Sequence, residues 1–350
     1  MTPPDFWYNP HISVHKFKLF WLVLLSHLIY WGGRLRALFT LRERLPIPVI
    51  CVGNFTVGGG GKTPTTISIA RYYKGQGHKP AIVSRGYRGR LLGPVKVDPT
   101  IHTCEDVGDE PLMMAAHFDV FIARHRASGA KMAYQSGADI IIMDDGLQHP
   151  SLYQDLKLSV VDRTKQFGNQ KLIPAGPLRE PLERGLRRVD SLVVIRTNVD
   201  EKPRLDQRLD EMSCHDFPTD IPQITATMSI DKNDWVSLKD KKLVAFAGLA
   251  HPDKFFSLLN HEGFNVQATK SYPDHHVYSQ EDLDELTALA EHKKAQLITT
   301  EKDFIRLPKT MKTKVFPVRI SLEYDNLDTM KRYLDSLLHS FSRKKRKQND

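Results

Sequence analysis

Along the middle of the chain, short apolar runs alternate with stretches of helical spacing. Runs at Pro48–Val52, Ala81–Ser84, Val120–Ala123, Ile140–Met143, Leu158–Val161 and Ser191–Ile195 are rich in β-branched residues and read as buried strands. Strand–helix alternation of this kind predicts an α/β layered fold over residues 46–230, with a doubly wound sheet. The chain turns polar around Asp231–Asp240, which marks a boundary. Beyond it the alternation returns on a smaller scale. Strands are expected at Leu243–Ala247, Val266–Ala268, Gln296–Thr299 and Val315–Val318, and helices at Pro252–His261 and Gln280–Glu291. A second, smaller α/β domain is therefore expected at 231–342. No internal repeat and no long low-complexity tract interrupts the pattern.

The N-terminal part, residues 1–45, differs. Leu19–Trp31 is apolar nearly all round and spans about 13 residues, short of the ~20 that a helix needs to cross a bilayer. Ser26 and His27 interrupt it. Trp21, Tyr30 and Trp31 suit an interface, and basic residues flank both ends. The reading taken is a membrane-associating helix. A buried core helix and a signal peptide are its rivals, although no small-x-small cleavage site follows.

A chain of 350 residues is long enough for two packed domains. Its three cysteines, Cys51, Cys104 and Cys214, stand far apart, with no metal spacing and no disulfide framework. That composition points to a reducing compartment. The net charge of +9 changes meaning once it is located. Residues 1–45 hold six Lys and Arg against two acids, and residues 343–350 five against one, which leaves +1 for the body between. A nucleic-acid groove across the body is thereby disfavoured. Basic ends suit an anionic membrane surface, and the alternative for 343–350 is a solvated, disordered basic tail.

The most specific chemistry lies at the end of the first strand. Gly58, Gly59, Gly60 and Gly61 precede Lys62 and Thr63, and a helix is expected from about Pro64 to Lys74. Residues without Cβ let backbone N–H groups curl around a polyphosphate, and the helix dipole favours the same anion. Lys62 can reach the β- and γ-phosphates, and the Thr63 hydroxyl suits Mg²⁺. The general pattern wants a glycine six residues before the lysine, and Thr56 stands there. About 80 residues on, Ala138–Asp145 is a buried-type strand ending in Asp144 and Asp145. Such a strand-end acid holds Mg²⁺ in phosphate-loop proteins; the rival is a plain Asp-Asp-Gly turn.

Other clusters are more ambiguous alone. The loop Ser84-Arg85-Gly86-Tyr87-Arg88-Gly89-Arg90 suits a phosphate or a phosphorylated sugar, or is a solvated basic loop. Asp109 and Glu110 either cap a helix or serve metal and base roles. Arg124 and Arg126 follow another strand end, where α/β ligand sites lie. Tyr272-Pro273-Asp274-His275-His276 is either ordinary loop or carries a base.

Taken in order, these pieces resemble the tetraacyldisaccharide 4′-kinase family. The matching stretches are Val52–Thr56 with Gly60–Pro64, Val83–Tyr87, Gly108–Pro111, Asp144–His149, Phe167–Asn169, Pro174–Glu180, Asp274-His275 and Thr300–Asp303. They run from about residue 17 to 335. Thr56 fits the family pattern. Arg88 stands where a glycine is common in it, and the basic tail has no counterpart. The resemblance implies a P-loop NTPase-like domain, a smaller C-terminal domain and an N-terminal hydrophobic helix on the cytoplasmic face of the inner membrane. It implies ATP and Mg²⁺ as cofactors and transfer of the γ-phosphate to the 4′-hydroxyl of a tetraacyldisaccharide 1-phosphate, giving lipid IV-A of lipid A biosynthesis. No nucleic acid and no obligate protein partner are implied. Carried over, Thr56, Gly58–Gly61, Lys62 and Thr63 bind nucleotide, and Thr63, Glu110, Asp144 and Asp145 arrange the metal. His275, oriented by Asp109, takes the acceptor's proton, while Arg85, Tyr87, Gln148, His149 and Arg179 are substrate contacts. A membrane-recruited P-loop ATPase with no small-molecule acceptor is the alternative class.

Overall fold

In a computed structural model of the protein, residues 4–9, 16–58, 60–197 and 221–349 are described. The strands are β1 (Val49–Gly53), β2 (Pro80–Ser84), β3 (Val95–Lys96), β4 (Asp119–Ile122), β5 (Ile140–Asp144), β6 (Leu156–Asp162), β7 (Ser191–Thr197), β8 (Gln223–Ile230), β9 (Lys242–Ala247), β10 (Asn265–Ser271), β11 (Gln296–Thr300), β12 (Val315–Val318) and β13 (Ile320–Tyr324). They form a nine-stranded sheet, ordered β13-β8-β7-β6-β1-β5-β2-β4-β3, and a four-stranded sheet, ordered β10-β9-β11-β12. The large sheet is parallel except at its edges, where β13 and β3 run antiparallel to their neighbours. The small sheet is parallel throughout. Parallel strands are buried on both faces, which is why β1, β2 and β5 read as unbroken apolar runs.

Two apolar layers cover the large sheet. On one face Ile67, Ile69 and Tyr73 of helix α2 (Lys62–Gly75) pack with Ile50, Ile82 and Ile142. On the other, Ala127, Ala130 and Ala133 pack with Val83, Phe121 and Ile141. Helices on both faces define the doubly wound P-loop class expected from the alternation.

Three strands carry no clear signal in the sequence: β3, β8 and β13. Their absence from the expectation matters, because β13 pairs with β8 in the large sheet. The helix Leu327–Asn349 then places Met330, Leu334 and Leu337 in the core beside α2. The expected smaller unit at 231–342 is corrected on this point: β13 pairs into the large sheet, and Met330, Leu334 and Leu337 belong to its core. The backbone of residues 343–349 continues the same helix, where a separate tail is expected from sequence. The polar stretch at Asp231–Asp240 does mark the first crossing, between β8 and β9, but it folds as the helix Lys232–Leu238. Its Asp234, buried, accepts from Arg319, the single residue between β12 and β13, through the backbone N–H at 2.8 Å and Nε at 3.0 Å. The two crossings also touch directly, the Asp231 N–H donating to the Arg319 carbonyl at 2.9 Å.

The N-terminal helix α1 (Lys16–Leu38) runs longer than the apolar segment that foretells it. The core-helix alternative is overturned, since Ser26 is the buried residue of α1, while Phe17, Phe20, Trp21, Leu28, Trp31 and Leu35 are all more than half exposed. Ser26 Oγ lies 2.8 Å from the Leu172 carbonyl and 2.7 Å from the Leu22 carbonyl, which share its one hydrogen, and accepts from Ala175 N–H at 3.3 Å. Arg184 donates to the Tyr30 hydroxyl at 3.0 Å. Among the described residues no helix is long and apolar enough to cross a membrane.

The Tyr73 hydroxyl, buried, donates to the Leu334 carbonyl at 3.0 Å, and Tyr72 donates to Asp335 at 2.6 Å. Leu334→Ala is therefore expected to lower the unfolding free energy by about 2–5 kcal/mol in urea titration. An unchanged midpoint would place the C-terminal helix outside the core.

Candidate active site

β1 and β5 deliver the two halves of the site side by side. Val52 pairs in register with Asp144, and the Asp145 N–H donates to the Val52 carbonyl at 2.9 Å. The loop after β1 turns at Gly61, whose φ is +90°. A Cβ there would sit 3.0 Å from Ile195 Cγ1 and 3.1 Å from Met228 Cε, so only glycine fits. Gly61 caps α2, which starts two residues earlier than expected and makes Lys62 and Thr63 its first residues. Pro64 loses nothing there, because the first N–H groups of a helix lack internal partners anyway. Gly58 has φ +118° and open space where a Cβ would point. Lys62 Nζ donates to the Gly58 carbonyl at 3.2 Å and lies 3.8 Å from Asp145 Oδ1. Gly59 and Cys214 lie outside the described residues.

The segment Pro177–Glu180 braces this loop. Thr56 forms a bridge with Leu178, Val57 N–H donates to the Pro177 carbonyl at 2.9 Å, and Arg179 N–H to the Phe55 carbonyl at 2.8 Å. The missing glycine at position 56 is thus a strand-like contact. Gln148 Nε2 donates to the Asn54 carbonyl at 3.0 Å and to Glu180 Oε1 at 2.8 Å, and Arg188 pairs with Glu180.

The acids are electrostatically unequal. Asp144 is buried and accepts long bonds from Thr66 at 3.4 Å and Ser84 at 3.3 Å. Burial, then repulsion from Glu110 and Asp145, pushes its carboxyl up to about 7. Burial would also raise Asp145, but Lys62 and Arg179 hold it below the usual carboxylate range, Arg179 Nη1 lying 2.7 Å from Oδ1. Asp145 sits at φ +51°. Such crowding of carboxylates around a buried one is relieved by a divalent cation. Among the described residues, no three acid, His or Cys side chains stand close enough to hold a metal by themselves. The carboxylates at the end of β5 are oxygen donors of the type that Mg²⁺ takes together with phosphate oxygens and water.

The remaining expected contacts fall into two groups. Arg85 and Tyr87 are exposed on a loop pressed backbone-to-backbone against residues 106–108: a Cβ on Gly89 would lie 2.7 Å from Val107 C, and one on Gly108 2.4 Å from Tyr87 O. Arg88 adopts φ +65°, the left-handed conformation that explains why glycine suits this position. In contrast, Gln148, His149 and Arg179 are engaged with protein. His149 Nε2 donates to the Arg124 carbonyl at 3.2 Å and Nδ1 faces Ser151 Oγ at 3.0 Å. Burial and Arg126 push this imidazole down to about 4, so it is neutral. Arg126 is itself buried, donates to the Ala123 carbonyl at 2.7 Å, and acts electrostatically on Asp144 and Asp145.

The small sheet supplies the last component. Asp109 opens helix α4 (Asp109–Ala115) on the large unit, and His275 follows β10 on the small one. His275 Nδ1 is 2.5 Å from Asp109 Oδ2. A carboxylate only accepts, so Nδ1 carries the proton and Nε2 is left as the basic nitrogen. His276 is separated from this role: it stacks on Tyr272 at 4.8 Å and binds Asp282 at 2.8 Å. Sequence reasoning missed Arg306, which donates to Asp109 Oδ2 through Nη2 at 2.6 Å and Nε at 3.1 Å. Burial would raise the Asp109 carboxyl, yet the hydrogen bonds from His275 and Arg306 hold it well below the usual range. Glu110 lies 4.0 Å from Lys302, a second link between the units.

The family described as tetraacyldisaccharide-1-P 4′-kinase matches residues 19–339 of this chain. A tetraacyldisaccharide 4′-kinase of a Bradyrhizobium species is 41% identical over 309 residues, 88% of this chain and 85% of the relative. One from Methylorubrum extorquens is 40% identical, covering 93% of this chain and 95% of the relative. A crystal structure of LpxK from Aquifex aeolicus in complex with ATP aligns with TM-score 0.68 and 27% identity, over 93% of this chain and 96% of that one. The chain belongs to the tetraacyldisaccharide 4′-kinase family.

A depressed folded-state carboxyl stabilises the fold above the unfolded value, near pH 4, and that contribution fades as pH falls. Asp109→Asn should therefore destabilise by about 3 kcal/mol at pH 7, since it leaves Arg306 buried beside a neutral group. The deficit relative to wild type should shrink in denaturation experiments approaching pH 3. A pH-independent deficit would mean that the Asp109 charge is not what stabilises the contact.

Proposed function

We propose that this constellation is the site at which the protein, a kinase of lipid A biosynthesis, transfers the γ-phosphate of ATP to the 4′-hydroxyl of tetraacyldisaccharide 1-phosphate. The observation that carries the reading is the Asp109–His275 contact, which sets a base from one unit against the acidic side of the other's phosphate loop. In this reading the amides of Gly58–Gly61 and the Lys62 ammonium hold the β- and γ-phosphates. Thr63, Asp144, Asp145 and Glu110 would hold Mg²⁺, which supplies charge neutralisation to the phosphates when bound. His275 Nε2 accepts the proton from the 4′-hydroxyl, and Asp109 keeps Nδ1 protonated and the ring oriented. Phosphoryl transfer depends chiefly on positioning and charge stabilisation, which fits a site whose residues are braced in pairs.

Substrate contacts divide by exposure. Arg85 and Tyr87 are free to meet the incoming disaccharide. Arg179 neutralises Asp145, while Gln148 and His149 support the loops around the acceptor. The exposed apolar side of α1 rests on the cytoplasmic face of the inner membrane, where a four-chain lipid acceptor resides. Basic residues at both ends of the chain add attraction to anionic headgroups.

His275→Ala should lower kcat for lipid phosphorylation by about 10²-fold, with ATP affinity nearly intact. Label from γ-³²P-ATP should enter an extracted lipid; label found only in free phosphate would favour an ATPase, and an unchanged His275→Ala rate would remove the base. Trp21→Asp with Leu28→Asp should abolish co-sedimentation with anionic phospholipid vesicles. Full retention would move the membrane contact elsewhere.

A further inference from the structure

The run Thr300-Glu301-Lys302-Asp303 has no role in the mechanism above, yet its side chains lead straight to the base. Thr300 caps the short helix Glu301–Phe304, its hydroxyl 2.7 Å from Asp303 Oδ2. Asp303 is wholly buried and accepts from the Tyr278 hydroxyl at 3.0 Å and from Arg306 Nη1 at 3.0 Å. Arg306 Nη1 also reaches the Gly248 carbonyl at 3.3 Å, and the same carbonyl takes the backbone N–H of His275 at 3.2 Å. Gly248 is a point of close approach: a Cβ would lie 2.9 Å from Asp303 Oδ1. The guanidinium is thus fixed inside the small unit, and its side chain is 6% exposed. Its free edge, Nε and Nη2, is spent on Asp109 of the large unit.

We infer that Arg306 is the positioning residue of the transfer reaction: it holds Asp109 Oδ2 in the one place where His275 Nδ1–H can also reach it. Arg306 Nη2 stands 3.3 Å from His275 Nδ1, so two donors share one oxygen and each limits where the other sits. His275 itself has φ +61°, a strained conformation for a non-glycine residue, which the surrounding contacts must sustain. The planar fork of arginine gives Asp109 two bonds where a lysine gives one. Cys104 also donates to Asp109, but its thiol, pushed up to about 12 by burial and by Asp109, brings no charge. The inference rests on His275 acting as the base.

A plain salt bridge between the units would affect stability alone. A positioning role acts through His275 and must vanish when His275 is absent. Arg306→Ala should lower kcat about 10²-fold, the cost of a misplaced base, while KM for ATP moves less than about two-fold. Added guanidinium should restore part of the rate. On a His275→Ala background the same change should cost less than about two-fold further. If Arg306→Ala does not bind ATP as a folded protein, Arg306→Lys carries the test, with about ten-fold lower kcat and ATP binding kept. Wild-type kcat in the folded Arg306 variant, or a full multiplicative loss in the double variant, overturns the inference. An unimpaired His275→Ala would instead remove the base reading, so the two failures are distinguishable.

Discussion

One carboxylate oxygen, Asp109 Oδ2, joins the two halves of this molecule. It accepts from His275 and from Arg306, both on the small unit, while its own backbone belongs to α4 on the large one. Other contacts join the units as well, such as Lys254 with Asp162 at 3.1 Å and His117 with Glu301 at 3.2 Å, but this one includes His275. Gly108, at φ +89°, starts α4 so tightly against the loop at residues 86–89 that a side chain at Gly89 or Gly108 would strike backbone. On the small unit the loops after β9, β10 and β11 contribute Gly248, His275 and Asp303, all from the carboxyl ends of parallel strands. The large unit presents the carboxyl ends of β1, β2 and β5 in turn. Two parallel sheets that turn their carboxyl ends toward each other form one crevice, the place where α/β folds bind ligands.

Three acids of that crevice have cationic partners. Asp145 has Lys62 and Arg179, Asp109 has Arg306, and Glu180 has Arg188. Asp144 is the exception, buried and faced by carboxylates, and its proton affinity rises accordingly. Lys62 and Arg126 act against that rise without cancelling it, so positive charge brought near Asp144 favours its ionised form. The same accounting explains Arg126, buried at the start of its helix, where its charge offsets Asp144 and Asp145 while touching neither.

The sequence made the parallel core legible because strands buried on both faces are long apolar runs, and β1, β2 and β5 fall where those runs lie. It hid β8 and β13 because each alternates: Ile224, Ala226, Met228 and Ile230 on one, Ile320, Leu322 and Tyr324 on the other. Alternation is a weak signal when the intervening positions are polar, as Thr225, Thr227 and Ser229 are in β8 and Ser321 and Glu323 in β13. With β13 went the boundary, since a single residue, Arg319, separates a strand of one sheet from a strand of the other. The phosphate loop and the strand-end acids were readable because their chemistry needs contiguous residues. Arg306 was not, for its partners are 3, 31, 58 and 197 positions away. Fixed spacing carries no trace of a contact made by folding two units together. Arg88 is an intermediate case, its departure from glycine visible in the sequence and its meaning visible only in the backbone angle.

The segment from Leu172 to Glu180 links the outer surface to the chemistry. At one end Leu172 and Ala175 grip Ser26 of α1, and Pro174 accepts from Trp7 Nε1 at 3.3 Å. In the middle Pro177 and Leu178 brace Val57 and Thr56 of the phosphate loop. At the other end Arg179 neutralises Asp145 and Glu180 receives Gln148 and Arg188. Fewer than ten residues therefore connect an exposed apolar helix to the phosphate loop and to Asp145. Ser26 on this strap and Tyr30 against Arg184 tie the helix to the same unit as that loop. If α1 lies in a membrane surface, its plane sets the orientation of the cleft, and an acceptor embedded in the same surface meets the γ-phosphate from a defined side. On that condition the hydrophobic segment would do more than raise the local concentration of enzyme at such a surface; it would orient the reaction.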